Sequence, residues 1–196
     1  AYYQQQADYK MQLVIDDATQ KLSGFETITY TNNSPDALPY LWLQLDQNIY
    51  TQDADNKLIE VEKMEDFKSI GDIQKKFFYY DGGFKIESIT NTSGVKMKYS
   101  VNKTMLRIDL ERPLAAHSSI SFQVKWWYNI NDRMAVGGRS GYEYFEKDKN
   151  YLYTIAQFFP RMCVYNDVTG WQNKQFLGRG EFTLPFGNYD VSITVP

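Results

Sequence analysis

The stretch "ISFQVKWWY", residues 120–128, alternates apolar and polar side chains along most of its length. Its apolar positions recur at every second residue: Ile120, Phe122, Val124, Trp126 and Tyr128. A period of two puts these side chains on one face of a β-strand. The same period recurs at 9–15, 28–30, 41–45, 95–101, 106–110 and 189–195, with Gly, Pro and Asn turns between the runs. We therefore predict an all-β fold, an antiparallel β-sandwich of two or more packed, saddle-like sheets.

Two regions depart from this alternation. In "DNKLIEVEKMEDFKSIGDIQKK", residues 55–76, apolar residues recur at roughly helical spacing, which predicts a possible short helix near 57–76 or an irregular excursion. Residues 131–150 are Gly-rich and charged, and we expect a long hairpin loop there. The sequence contains no internal repeat and no low-complexity linker, so we predict one β domain over residues 1–196.

Composition limits the classes of partner. The chain has 196 residues, 43% of them hydrophobic, a net charge of -3 and a pI of about 5.2. Nucleic-acid binding usually needs a clustered basic surface, and the Lys residues here are scattered. No apolar run is long enough to predict a transmembrane segment. The opening "AYYQQQADY" suits a mature end exposed by processing, which favours the periplasm or cell envelope over the cytoplasm, but it suits a cloning boundary equally well.

The sequence offers no credible catalytic set. Its one histidine, His117, lies in the turn "PLAAHSS", which excludes a zinc site with two or three His ligands from this chain. Its one cysteine, Cys163, cannot form an internal disulfide, and we expect a buried thiol. No G-x-S-x-G or phosphate-binding loop is present, and the spacing of the acidic residues selects no catalytic pair. We predict neither a catalytic residue nor a metal ligand in this chain.

Gln157 is the candidate binding residue. It lies in "YTIAQFFPRMCVYND", residues 153–167, between an apolar strand and a Phe-Phe-Pro corner. If the strand continues to Pro160, Ile155 and Gln157 share one face. Two interpretations stay open: an edge-strand amide satisfied by the backbone, or an amide oxygen that accepts a hydrogen bond from a ligand at the end of a sheet.

Two long stretches then suggest a family. Residues 9–45, "YKMQLVIDDATQKLSGFETITYTNNSPDALPYLWLQL", and residues 151–196, "YLYTIAQFFPRMCVYNDVTGWQNKQFLGRGEFTLPFGNYDVSITVP", carry the likeness. They resemble the amino-terminal β domain of zinc aminopeptidases of the membrane-alanyl-aminopeptidase and leukotriene-hydrolase family, in a bacterial branch. The resemblance implies a catalytic domain downstream of Pro196, holding the zinc and the motifs G-x-M-E-N and H-E-x-x-H.

The resemblance also implies a role for Gln157. The family's Gln or Glu at this position helps to bind the free amino terminus of a peptide substrate, so the implied partners are that peptide and the chain's own catalytic domain. The match is poorer after Pro160, where "RMCVYNDVTGW" replaces the commoner family pattern, and it leaves the roles of Arg161 and Asp167 open. The competing hypothesis is a stand-alone β-sandwich that binds carbohydrate or mediates adhesion, with Trp126, Trp127 or Trp171 as a stacking platform.

Overall fold

The fold was analysed in a computed structural model that describes residues 2–59, 70, 80–180 and 182–196. The strands are β1 Gln6–Asp16, β2 Lys21–Asn32, β3 Leu38–Gln44, β4 Lys85–Asn91, β5 Lys98–Asn102, β6 Met105–Leu114, β7 Ser118–Asn129, β8 Gly141–Phe145, β9 Asn150–Thr154, β10 Arg161–Met162, β11 Tyr165–Asn166, β12 Gly170–Trp171 and β13 Tyr189–Thr194. The helical pieces are short: a 3-10 turn at Asp46–Tyr50, α1 at Asp55–Ile59 and α2 at Arg133–Val136. The predicted all-β class is confirmed. Of the helix predicted near 57–76, α1 covers the first three residues, and 60–69 and 71–79 lie outside the described residues.

Two large sheets enclose the core. One has five strands in the order β13-β1-β2-β7-β4, and the other has four in the order β10-β3-β6-β5. The apolar faces of both contribute to one cluster of buried side chains, as expected for a sandwich. Trp126 on β7 is 1% exposed, and its ring lies over Gly24 on β2, where no Cβ could be accommodated. The predicted core face of 120–128 is therefore confirmed at its centre.

One strand pair is parallel, an exception within the predicted antiparallel sandwich. β13 pairs with β1 in parallel, with Tyr9 opposite Tyr189. The physical reason is the direction from which the chain reaches the free edge of β1 before β13. β2 already occupies one edge of β1, and the chain returns beside Gln6, where the backbone N–H of Ala7 donates to Phe186 O at 2.8 Å. The last strand then runs along the free edge in the same direction as β1.

The alternating run at 95–101 does not form the half-buried strand that its pattern suggests. Only 98–102 are in β5, and every residue of β5 is exposed, including Tyr99 and Val101. β13 is exposed along its whole length as well. Both strands lie at sheet edges, and their apolar side chains stay exposed even where Tyr189 stacks on the ring of Tyr9, with 5.0 Å between ring centroids. Alternation sets which side chains share a face, but a covering layer decides whether that face is buried.

The region 131–150 is more ordered than the predicted loop. Asp132 caps α2, since its carboxylate accepts from the N–H groups of Met134 and Ala135. β8 then pairs with β9 in a hairpin. Four tyrosines share one face of this hairpin, and cross-strand aromatic pairs stabilise such a ladder: Tyr142, Tyr144, Tyr151 and Tyr153.

Candidate functional site

A cleft of about 220 Å³ opens where four segments of the chain meet. These are the 3-10 turn after β3, residues 138–140 before β8, the segment that follows β9, and residues 176–180. Its walls include Asp46, Gln47, Tyr50, Ser140, Gln157 and Phe176. Sequence analysis identified only Gln157 of this set. The others come from distant parts of the chain. The only sequence feature that could have identified Asp46 and Gln47 is that these polar residues directly follow the apolar run of β3.

Gln157 lines this cleft, but its strand does not continue to Pro160 as expected. β9 ends at Thr154, and Gln157 has a left-handed backbone with φ of 53°. That conformation is unfavourable for a residue with a Cβ, and it breaks the alternation that predicted a common face for Ile155 and Gln157. The Gln157 side chain is half-buried, and none of its hydrogen-bonding atoms is paired with another described residue. Within the described part of the chain, the backbone therefore does not pair with the Gln157 amide.

The backbone beside Gln157 is tied down by two buried polar side chains. The Ser140 hydroxyl donates to Ala156 O at 3.0 Å and accepts from Ala156 N–H at 2.9 Å. The Gln47 amide Nε2 donates to Ala156 O at 2.9 Å and to Gln157 O at 3.3 Å. The polar backbone groups of this irregular segment thus have partners, as buried peptide groups require.

An ion pair borders the same cleft and accounts for Arg161. The guanidinium of Arg161 donates from Nη2 and Nε to one carboxylate oxygen of Asp46, at 2.6 and 2.9 Å. The side chains are 12% and 1% exposed. Asp167 lies elsewhere, on an exposed turn in which Asn166 Oδ1 accepts from the backbone N–H groups of Val168 and Thr169. Arg161 therefore supports the wall of the cleft, and Asp167 is not part of it.

Burial keeps two titratable groups near the cleft in their neutral form. Burial raises the pKa of the Tyr50 phenol, so it stays neutral at physiological pH. Cys163 is 2% exposed, and burial raises the pKa of its thiol, which keeps it from acting as a thiolate nucleophile. The predicted burial of Cys163 is confirmed. The cleft thus presents amide, hydroxyl and phenol groups and the Arg139 guanidinium, beside the Asp46 carboxylate that is paired with Arg161.

The residues that the structure describes do not fit a zinc site. His117 lies on an exposed turn between β6 and β7, far along the chain from the buried Cys163. No group of three His, Cys, Asp or Glu side chains within the described ranges is arranged to hold a metal ion. No helix in those ranges is long and apolar enough to cross a membrane.

The three tryptophans of the competing hypothesis do not form a common platform. Trp126 is buried in the core, so its proposed role in stacking is wrong. Trp127 is half-buried on the opposite face of β7, with the Lys21 ammonium 4.6 Å from its ring centroid. Trp171 packs against Tyr30 with 5.8 Å between ring centroids. A flat ligand therefore cannot stack on all three.

Comparison with known proteins gives structural similarity without sequence similarity. No protein-family model and no curated protein matches the sequence. An M1 zinc metallopeptidase from Deinococcus radiodurans is 12% identical, with a TM-score of 0.46 over 100% of this chain and 32% of its own. A mutant M1 zinc metallopeptidase from the same organism, bound to a Tyr-Ser-Ala substrate, is 14% identical, with a TM-score of 0.44 over 100% of this chain and 33% of its own.

A third solved structure, a two-domain M1 zinc metallopeptidase mutant bound to L-tryptophan, is 14% identical, with a TM-score of 0.47 over 99% of this chain and 33% of its own. This chain spans about a third of the length of each of these structures. At these identities and scores the similarity assigns neither a family nor a function, and the functional argument rests on the residues of the cleft.

Proposed function

We propose that this chain is the amino-terminal, non-catalytic domain of a zinc aminopeptidase, and that it forms one wall of the substrate cleft. The resemblance of residues 9–45 and 151–196 to that domain supports the proposal. The observation that carries it is the state of Gln157: the residue lines a cleft, and its side chain has no intramolecular hydrogen bond among the described residues. A half-buried amide in that state is free to accept a hydrogen bond from a ligand.

The ligand group that fits is the free amino terminus of a peptide. The Gln157 amide oxygen can accept from an ammonium, and a carboxylate from a downstream catalytic domain would supply the opposite charge. On this proposal the zinc belongs to that downstream domain, which is an intramolecular partner. The work of this chain's residues is to bind and orient the substrate amino group.

The first test is the gene itself. Its continuation past Pro196 is expected to encode G-x-M-E-N and H-E-x-x-H. A stop codon or an unrelated domain at that point would sink the proposal.

The second test uses the full-length enzyme. Gln157→Ala removes one hydrogen bond to a charged group, which costs roughly 1.5–3 kcal/mol, or about a 10- to 150-fold loss of kcat/KM on free-amino peptides. Amino-terminally blocked peptides lack the ammonium, so their slow turnover is expected to stay unchanged. Gln157→Glu retains or raises affinity for free amines, because a carboxylate accepts the same bond with added charge.

A control variant separates this effect from a general one. Gln12→Ala removes an exposed amide on β1, outside the cleft, and is expected to leave both substrates unaffected. Equal losses for free and blocked peptides in Gln157→Ala, together with a lower melting temperature, would make Gln157 a structural residue.

A further inference from the structure

We propose that Gln47 and Ser140 are positioning residues, which hold the Ala156–Gln157 backbone in the conformation that turns the Gln157 amide toward the cleft. The conformational part of this inference depends only on the contacts of these residues. The part that concerns substrate rests on the function proposed above.

No hairpin turn accounts for the left-handed backbone of Gln157. Four other described non-glycine residues have positive φ. Gln20, Lys103 and Lys149 lie in hairpin turns between paired strands, and His117 lies in the short turn between β6 and β7, which belong to different sheets. Tight turns between paired strands require such a conformation. Gln157 lies between β9 and β10, which also belong to different sheets, so like His117 it is not in a hairpin turn. Because no hairpin imposes its φ of 53°, other contacts must compensate for the unfavourable conformation.

Ser140 supplies the first of these contacts by extending the hairpin beyond its last backbone pair. The β8–β9 ladder ends where Gly141 lies opposite Thr154. One step beyond it, the Ser140 hydroxyl takes the place of a partner strand and pairs with both the N–H and the C=O of Ala156, at 2.9 and 3.0 Å. Ser140 is 4% exposed, so water competes little for these bonds.

Gln47 supplies the second contact from the opposite wall. It is 3% exposed, and its Nε2 donates to the carbonyl oxygens of both Ala156 and Gln157. The same Nε2 lies 3.5 Å from Ser140 Oγ, so its two donor hydrogens are directed at the two nearer acceptors, the carbonyl oxygens. Bonding two successive carbonyl groups from one side fixes the peptide plane between Ala156 and Gln157, and with it the direction of the next side chain.

The distribution of these bonds distinguishes positioning from general core packing. Except for a contact of 3.5 Å between Gln47 Nε2 and Ser140 Oγ, all of these bonds end on the backbone of Ala156 and Gln157, and the Gln157 amide itself stays unbonded among the described residues. Gln47 and Ser140 also line the cleft. The buried side chains of Gln47 and Ser140 therefore hold the backbone at Gln157 and leave the Gln157 amide group available.

The conformational test uses the chain alone. Nuclear magnetic resonance of isotope-labelled protein reports the backbone at Gln157 through its Cα shift and its HN–Hα coupling. Gln47→Met keeps length and loses both donors, and Ser140→Ala loses only the hydroxyl. Each is expected to shift Gln157 out of the left-handed region, whereas Gln12→Met, on the exposed side of β1, leaves it there. An unchanged backbone at Gln157 in the folded variants overturns the inference. Either variant suffices if the other does not fold.

The functional test is a double-mutant cycle in the full-length enzyme. Gln47→Met is expected to raise KM for free-amino peptides about threefold to tenfold, the scale of one ordinary hydrogen bond. In the Gln157→Ala background the same change is expected to cost less than about twofold, because the group that it positions is gone. Additive losses overturn the positioning role. If Gln157→Ala shows no selective loss, the proposed function fails, while the conformational test still judges whether Gln47 and Ser140 hold the backbone.

Discussion

Glu26 is expected to make the domain less stable as pH rises through the mildly acidic range. Its carboxyl group lies on the core face of β2, between Met11 on β1 and Val124 on β7, and is 0% exposed. Burial raises the pKa of this carboxyl well above its ordinary value. The nearby Trp126 indole offsets the rise only in part, and neither group has a hydrogen bond of ordinary geometry with a described residue. Burial also raises the pKa of the neighbouring Tyr9 phenol, which stays neutral here.

The sign follows from the protons bound in each state. Above an unfolded pKa of about 4.3, the unfolded chain releases the Glu26 proton while the folded chain keeps it. Stability is therefore lost as pH rises, by about 1.4 kcal/mol per pH unit, until the pH passes the folded pKa. Below the unfolded pKa both states hold the proton, and the penalty vanishes.

Glu26→Gln tests this directly, because the amide has nearly the same shape and cannot ionise. At pH 4 the variant and the wild type are expected to differ by less than about 1 kcal/mol in the free energy of unfolding. The variant then gains about 1.4 kcal/mol per pH unit over the wild type within the window. Urea unfolding followed by tryptophan fluorescence at pH 4, 5, 6 and 7 measures the difference.

A matched variant controls for charge removal as such. Glu111 lies on β6 and is exposed, so Glu111→Gln is expected to change stability by less than about 0.5 kcal/mol at each pH. A stability gap between Glu26→Gln and wild type that stays constant with pH, or narrows as pH rises, would refute the reasoning.

Two further predictions concern the buried groups beside the cleft. Asp46→Asn leaves the Arg161 guanidinium buried without its carboxylate and is expected to lower the free energy of unfolding in urea by about 3–5 kcal/mol. The control Asp190→Asn removes one partner of a surface ion pair and is expected to cost less than about 1 kcal/mol. Equal losses in the two variants would contradict this. Cys163 is buried and the pKa of its thiol is raised, so a thiol-specific disulfide reagent at pH 8 is expected to modify it only when urea unfolds the protein. Stoichiometric reaction of the native protein would count against the burial of Cys163.

The sequence was most informative about the central strands. In β7, Phe122, Val124, Trp126 and Tyr128 are all buried, as the period of two predicted. Alternation succeeded there because it is a local property, and these strands have neighbours on both edges and a sheet across the core. The same pattern in β5 predicted half-burial wrongly, because β5 lies at a sheet edge where its side chains stay exposed on both faces.

Of the cleft, the sequence by itself determined one residue. Gln157 stood out as an amide before a Phe-Phe-Pro corner, and the structure does bring it to a cleft. Its role in binding a substrate stays a prediction. The sequence also determined the all-β fold class, the burial of Cys163 and the scarcity of metal-ligating side chains. Each of these depends on residue type or on neighbours within a few positions.

Tertiary structure alone decided the remaining features. The left-handed turn at Gln157, the contacts of Gln47 and Ser140, and the pairing of Asp46 with Arg161 join residues that lie far apart in the chain. The parallel direction of β13 likewise depends on which edge of β1 is free when the chain returns. Periodicity reports only what one segment can bury. Hydrogen bonds between distant side chains and backbone depend on how the sheets and loops come together, which no local pattern records.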